Sequence, residues 1–424
     1  MQTLRLLVSC LACLAWGCDD PTAGPVTATA PDVAEDFPVF ESVGSYPLDP
    51  PAPADAYAPE LTAGPGGVVL SWLEPTDPDD RGAARLRYAR LLDGASGWGE
   101  PHTVVDTVGM FGNWADRPEV FAWGDGSLVA HWLGKLGEGT YAYGIQTVRS
   151  TDGELWDAPQ LLHDDISETE HGFVSWLRHG EALWAFWLDG RAMAKEGPMQ
   201  LRARRFHGDS NVSSGSPEHL DRWALDDRVC ECCDTDAAST ADGPIVVYRD
   251  RSAAEVRDIR AVRWTGNGWG EPVSVADDGW TIHGCPVNGP AVGAAGNTVA
   301  VAWFTMADDM PRVRLAWSVD GGATFGDPLE LDDARPLGRV DLAMGPDGVA
   351  WVTWLAAGPT KEQARVVVRP IGPSGPLGAV TVLGETAASR KAGVPRLVRQ
   401  GDRLVAAWIK TGDPAQVRTT MIEP

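Results

Sequence analysis

The chain has no apolar run long enough to cross a bilayer. The N-terminal stretch LLVSCLACLAW falls well short of the ~20 residues a membrane helix needs. Positive charge is scarce: 35 Lys and Arg face 59 Asp and Glu, a formal net charge of −24. Nucleic acid is thereby excluded as a partner, because phosphate binding needs a basic face. Tyrosine is rare, six in 424 residues, and none follows Tyr248. Cysteine is rare too, and three of the seven, Cys10, Cys13 and Cys18, lie at the N-terminus.

What is abundant is glycine (48), proline (32) and tryptophan (19), arranged in a repeat. Arg117–Leu133 (RPEVFAWGDGSLVAHWL) reads as a strand, a Gly-Asp-Gly turn and a second strand closed by Trp132. The same pattern recurs, each unit closing on an aromatic at Trp72, Trp132, Trp187, Tyr248, Trp303, Trp354 and Trp408. A period of roughly 50–60 residues signals a propeller, solenoid or array, and strand repeats with Gly-rich turns select the propeller. Two more strand candidates follow each pair, giving four antiparallel strands per blade. The expected fold is all-β, with seven blades, or six if the divergent unit around Phe173 is an insertion. The last unit stops one strand short after QVRTTMI, so an N-terminal strand near 37–43 is expected to complete it and leave no open edge.

The N-terminus divides in two. Residues 1–17 have the shape of an export signal, and Gly17-Cys18 resembles a bacterial lipoprotein cleavage box, with Cys18 as the lipidated residue. Residues 18–36 then form a Pro/Ala/Thr tether, and 37–424 one propeller domain. These features imply a periplasmic or cell-surface protein, a monomer that meets the membrane through its lipid alone.

A second signature lies between third and fourth strands. Ser318-Val319-Asp320-Gly321-Gly322-Ala323-Thr324-Phe325 fits S-x-D-x-G-x-T-[FW], and Ser150–Trp156 is the same box one residue shorter. Asp and Ser bond the turn's own amides there, so the box is structural. With the repeats, it resembles the Asp-box (BNR-repeat) propellers of the sialidase-like family. That resemblance implies a glycan-directed loop face and, for an enzyme, a glycoside hydrolase with an arginine clamp on a carboxylate, a Tyr nucleophile and an acidic partner. Arg117, Arg251 (or Arg257) and Arg339 could supply the clamp. The family's late Tyr is missing, and Tyr248 sits at a packing position. A hydrolase would therefore draw on paired carboxylates from Asp189, Asp250, Asp258 and Asp341.

The loops entering each innermost strand should share one face of the ring. They gather Trp114, Arg117, His171, Trp280, Asn288, Arg339, Asp341 and Arg396, and the neighbouring loops add Asp189, Asp250 and Arg251. On that face Cys230-Glu231-Cys232-Cys233 and His283-Gly284-Cys285 enter consecutive blades. Two disulfides are the ordinary expectation for four exported cysteines. The alternative is a metal site: in an extended segment Cys230, Cys232, Asp234 and Asp236 project together, and His283 with Cys285 approaches from the next loop, a set suited to copper or zinc. His131 is expected to be an interior histidine. Three functions stay open: binding of a glycan or other anionic ligand at this face, glycoside hydrolysis, and metal handling.

Overall fold

A computed structural model describes residues 37–424 except 78, 81, 125 and 208–220. The expected export signal, Cys18 and the expected tether lie outside the described residues.

Seven antiparallel sheets surround a central channel. Their innermost strands are Tyr57–Gly64, Glu119–Trp123, His171–His179, Asp236–Ser239, Ala291–Ala295, Gly338–Met344 and Arg396–Gln400, which define blades 1 to 7. The unit around Phe173 is blade 3, a full four-stranded sheet, so the six-blade alternative is excluded. Every closing aromatic lies on the second strand of its blade and is buried. In three blades that aromatic also reaches back to a carboxylate at the outer end of the preceding blade. Tyr248 Oη donates to Asp226 at 2.6 Å, and the indoles of Trp303 and Trp354 donate to Asp278 and Asp332 at 2.7 Å. Buried N–H and O–H groups need such partners.

A buried apolar cluster fills each junction between neighbouring blades, from blades 1 and 2 around to blades 7 and 1. A lone blade would leave both faces wet. Stacking in a closed circle buries both, at roughly 25 cal/mol per Å² of apolar surface.

Closure uses an N-terminal strand, as expected, but at Gly44–Leu48, which pairs with Gln416–Glu423. The expected segment, 37–43, instead lies against blades 6 and 7: Phe40 bridges Gly378, and Phe37, Phe40 and Val43 join that junction's core. Its spaced apolar residues resemble a strand because they pack, without a ladder to join.

The Ser318–Phe325 turn makes the bonds its residues suggest. Asp320 Oδ1 accepts from the amides of Ala323 (3.0 Å) and Thr324 (2.9 Å), and Ser318 Oγ accepts from Gly322 N (2.9 Å). Ser150–Trp156 repeats this with Asp152 accepting from Glu154 and Leu155.

Candidate functional site: channel mouth, basic cleft and thiol cluster

Strand register determines what faces the channel. In each blade, the innermost-strand residue opposite the position just before the closing aromatic occupies an equivalent place. Those seven residues are Glu60, Glu119, Ser175, Asp236, Ala291, Asp341 and Arg396. In blades 1, 3 and 6 a bulge precedes this residue. Ala58, Phe173 and Arg339 take left-handed backbone there, φ +51°, +54° and +56°. Such a conformation costs about 1 kcal/mol or more for a non-glycine residue, and it turns the following side chains toward the axis.

Four carboxyls and a guanidinium therefore meet around a cavity of about 170 Å³, with Asp116, Arg117, Asp234 and Trp176 also in its wall. Glu60 bridges both arginines: Arg117 Nε donates to it at 2.8 Å, and Arg396 Nε donates to its other oxygen. Arg117 also donates to Asp234 at 3.0 Å, and Arg396 lies 3.4 Å from Asp341. Burial opposes ionisation of Glu60, yet Arg396 and then Arg117 hold its carboxyl below the ordinary range. The other ring acids move the opposite way. Burial, with Asp341's charge next, pushes Asp236 up to about 7. Burial raises Asp341 to about 6 against the pull of Arg396. Burial and then Glu60 hold Glu119 well above its usual value. The mouth thus carries protons at neutral pH, and its two arginines are already neutralised.

Beside it is a second buried network. Tyr143 Oη donates to Glu170 at 2.5 Å and lies 3.3 Å from Asp116, which accepts from Phe173 N at 2.7 Å. Burial raises Tyr143 and Asp116 well above their ordinary values and Glu170 to about 7. Burial keeps this phenol protonated, and its hydrogen bond ties it to the Glu170 carboxyl.

A separate cleft of about 180 Å³ is lined by Trp114, Cys285, Asn288, Arg339 and Arg390. Arg339 lies over the Trp114 ring, 4.6 Å from its centroid, and donates to the carbonyls of Ser389 (2.8 Å) and Gly393 (2.9 Å). Burial and then the charge of Arg390 lower Arg339 to about 10. Among the described residues neither arginine is in an ion pair. In an acidic protein this is a basic spot on the loop face.

The thiols lie where the loops entering blades 4 and 5 meet. Cys230 Sγ is 2.7 Å from Cys233 Sγ and 4.0 Å from Cys232 Sγ, and Cys285 approaches Cys232 from the next loop. These three neighbouring sulfurs, Cys230, Cys232 and Cys233, lie within 4.8 Å of one another and could hold a metal ion. Arg257 Nη1 reaches Cys230 Sγ at 3.3 Å. The expected adjacency of the two loops is found. All four cysteines are free in this structure, which shows neither of the two expected disulfides.

Several sequence expectations need correction. The Cys230–Asp236 segment turns instead of running extended, which parts Asp234 and Asp236 from the sulfurs and sends them to Arg117 and the channel ring. His283 is exposed and stands outside the thiol cluster. The arginine clamp does not assemble: Arg117 is in the channel, Arg339 in the basic cleft, and Arg251 is paired with Glu231 and Glu255. Of the proposed carboxylates only Asp341 faces the channel. Asp250 pairs with Arg260 at 2.8 Å, Asp258 accepts from the amides of Gly279 and Trp280, and Asp189 is held at about 2, against its burial, by Arg191 and Trp187. His171 is buried, stacked on His163 at 4.1 Å and 3.0 Å from Asp165. Asn288 is framework: its carbonyl accepts from Arg249 and its Oδ1 from Arg339 N. Trp280 is buried beneath Arg249, 4.9 Å from ring centroid to guanidinium. His131 is interior, as expected: Nδ1 accepts from Trp176 Nε1 (3.0 Å), and Nε2 donates to the Arg117 carbonyl (3.1 Å). Glu60, Glu119, Asp116 and Tyr143 gave no local sequence signal. Aligning the units on their closing aromatics would have put Glu60 and Glu119 opposite Asp236 and Asp341.

No protein-family model matches the chain, and no curated protein matches it. Among solved structures, the polysaccharide lyase Uly1 superposes with a TM-score of 0.51 at 10% identity, covering 93% of this chain and 94% of that one. A PL25 ulvan lyase bound to a GlcA(1-4)Rha3S unit gives 0.49 at 12% identity over 90% and 94%. The phage phi92 endosialidase gives 0.49 at 11% identity over 77% and 71%. At such identities the likeness is one of architecture alone, shared with the lyase Uly1.

Proposed function

We propose that the protein is a cell-envelope lectin-like propeller, anchored through a lipid on Cys18, that binds glycans bearing a carboxylate or sulfate in the Trp114–Arg339–Arg390 cleft. One observation carries this reading: two guanidiniums without carboxylate partners among the described residues share a cleft with an aromatic ring, on a chain of net charge −24. An anion there would relieve the repulsion between the two arginines, and each charge-assisted hydrogen bond is worth roughly 1.5–3 kcal/mol. The channel arginines, by contrast, already have Glu60, Asp234 and Asp341.

Calorimetric titration with uronate-containing, sulfated and neutral oligosaccharides tests it. The acidic sugars should bind with a salt-sensitive affinity that Arg390→Ala lowers by tenfold or more. Equal binding of neutral sugars, or an indifferent Arg390→Ala, would refute it. For the anchor, labelled palmitate should enter the natural chain and not Cys18→Ser.

Glycoside hydrolysis is the second reading, favoured by one feature. The channel holds ionised Glu60 near Asp236, raised to about 7, and Asp341, raised to about 6, and carboxyls whose environments drive their pKa values apart are the usual acid and base pair. Turnover of oligosaccharides that Asp236→Asn abolishes would support it, and no turnover across pH 5–8 would end it.

A further inference from the structure

We propose that Cys230, Cys232, Cys233 and Cys285 form an all-sulfur site for a closed-shell thiophilic ion, Zn²⁺ or Cu⁺. The inference is independent of the glycan reading, although Cys285 also lines the basic cleft.

Geometry is the first support. Tetrahedral coordination with ~2.3 Å metal–sulfur bonds separates sulfurs by about 3.8 Å. The Cys230–Cys232 distance, 4.0 Å, already matches, and Cys230 and Cys233 at 2.7 Å need to part by about 1 Å. Cys230 and Cys233 are buried, Cys232 is half-buried and Cys285 is exposed, so the cluster has a closed base and an open rim. The main chain fixes the base: Cys230 N donates to the Arg249 carbonyl at 3.0 Å, and Val229 bridges Asp250.

Charge is the second, independent support. Arg249 is 1% exposed, and its three guanidinium donors reach the carbonyls of Asn288, Arg257 and Phe304. No carboxylate pairs with it among the described residues. A buried cation without a counter-ion is costly. Arg257, 3% exposed, bonds Cys230 Sγ directly while sharing Glu231 and Glu255. Disulfides would make the cluster neutral and leave Arg249 uncompensated. Metal thiolates would not: Zn²⁺ with four thiolates, or Cu⁺ with three, carries two negative charges, and each thiol gives up its proton to solvent on binding. The exposed His283 adds no nitrogen, which leaves a soft donor set of the kind these ions select.

The full mature chain, purified anaerobically with a phosphine reductant, would be titrated with Zn²⁺ against a chromogenic chelator and with Cu⁺ against bicinchoninate. Co²⁺ would serve as an optical probe of thiolate coordination. One ion per chain should bind tightly enough to compete with the chelators. Cys233→Ser should weaken both ions at least a hundredfold. Cys285→Ser, at an exposed position that leaves the fold intact by circular dichroism, separates the ions: Zn²⁺ affinity falls similarly if four sulfurs are used, whereas three-coordinate Cu⁺ is retained. The proposal is overturned if neither ion binds the reduced chain at micromolar concentration, or if Cys233→Ser binds as well as the natural chain. It is also overturned if protein isolated from the envelope holds all four sulfurs in disulfides with no metal.

Discussion

Replacing Asp236 by Asn should uncouple part of the protein's stability from pH. Asp236 lies in the channel ring and accepts the amides of Ala237 (2.8 Å) and Val292 (2.7 Å). Burial first, and Asp341's charge second, raise its pKa to about 7, against about 3.9 in an unfolded chain. With the folded value raised, the unfolded chain has released this proton above pH 4 while the folded chain keeps it to about 7. The contribution is therefore complete below pH 4 and is lost as pH rises through 7. Each unit is worth about 1.4 kcal/mol, so between pH 5 and pH 8 the loss is roughly 3 kcal/mol. His131 and His163 act in the opposite direction. Burial lowers both to about 4, so their contribution is present above ~6.5 and is lost as pH falls toward 4. That histidine effect cancels when the natural chain and Asp236→Asn are compared at each pH. Asn offers one carbonyl oxygen for two amides, a pH-independent cost of about 1 kcal/mol. Urea unfolding of both proteins at pH 5 and pH 8 reads the result: relative to the natural chain, Asp236→Asn should gain roughly 3 kcal/mol on going to pH 8. An unchanged difference, within about 0.5 kcal/mol, would refute the claim that burial keeps this carboxyl protonated.

Three further outcomes follow from particular contacts. Gly172→Ala would set a Cβ 1.9 Å from Asp116 Oδ2. It should break the Asp116 bond to Phe173 N and lower the urea midpoint by an amount equivalent to about 2 kcal/mol or more. Asp320→Ala removes the acceptor for two turn amides and should cost roughly 1–2 kcal/mol with no change in ligand affinity. Deleting residues 37–48 strips Gln416–Glu423 of its partner strand, and light scattering should then show self-association through the bare edge, whereas a monodisperse deletion mutant would argue against strand closure.

Much of the architecture was legible in the sequence because a blade is local. A Gly-rich turn and alternating strands are written in consecutive residues, and the closing aromatics mark each unit. The adjacency of the Cys230 and Cys285 loops also followed, since consecutive blades stack. The starting point of the closing strand did not follow. Phe37, Phe40 and Val43 have the spacing of a strand but serve a packing role against blades 6 and 7, and only the partner strand decides which segment joins its ladder.

By itself the sequence determined the repeat, the ring and the face on which polar loops collect, because short-range periodicity sets the blade and blades can bury both faces only by closing. The tertiary structure alone decided which acids meet. Glu60, Glu119, Asp236 and Asp341 come from four blades, and only register and the bulges at Ala58 and Arg339 aim them at one axis. Their protonation and the pairing of Arg117 and Arg396, like the lack of a carboxylate partner at Arg339 and Arg249 among the described residues, depend on burial and on neighbours tens to hundreds of residues away. Electrostatic energy varies with distance and desolvation in three dimensions, and neither is encoded in the spacing of residues along a chain.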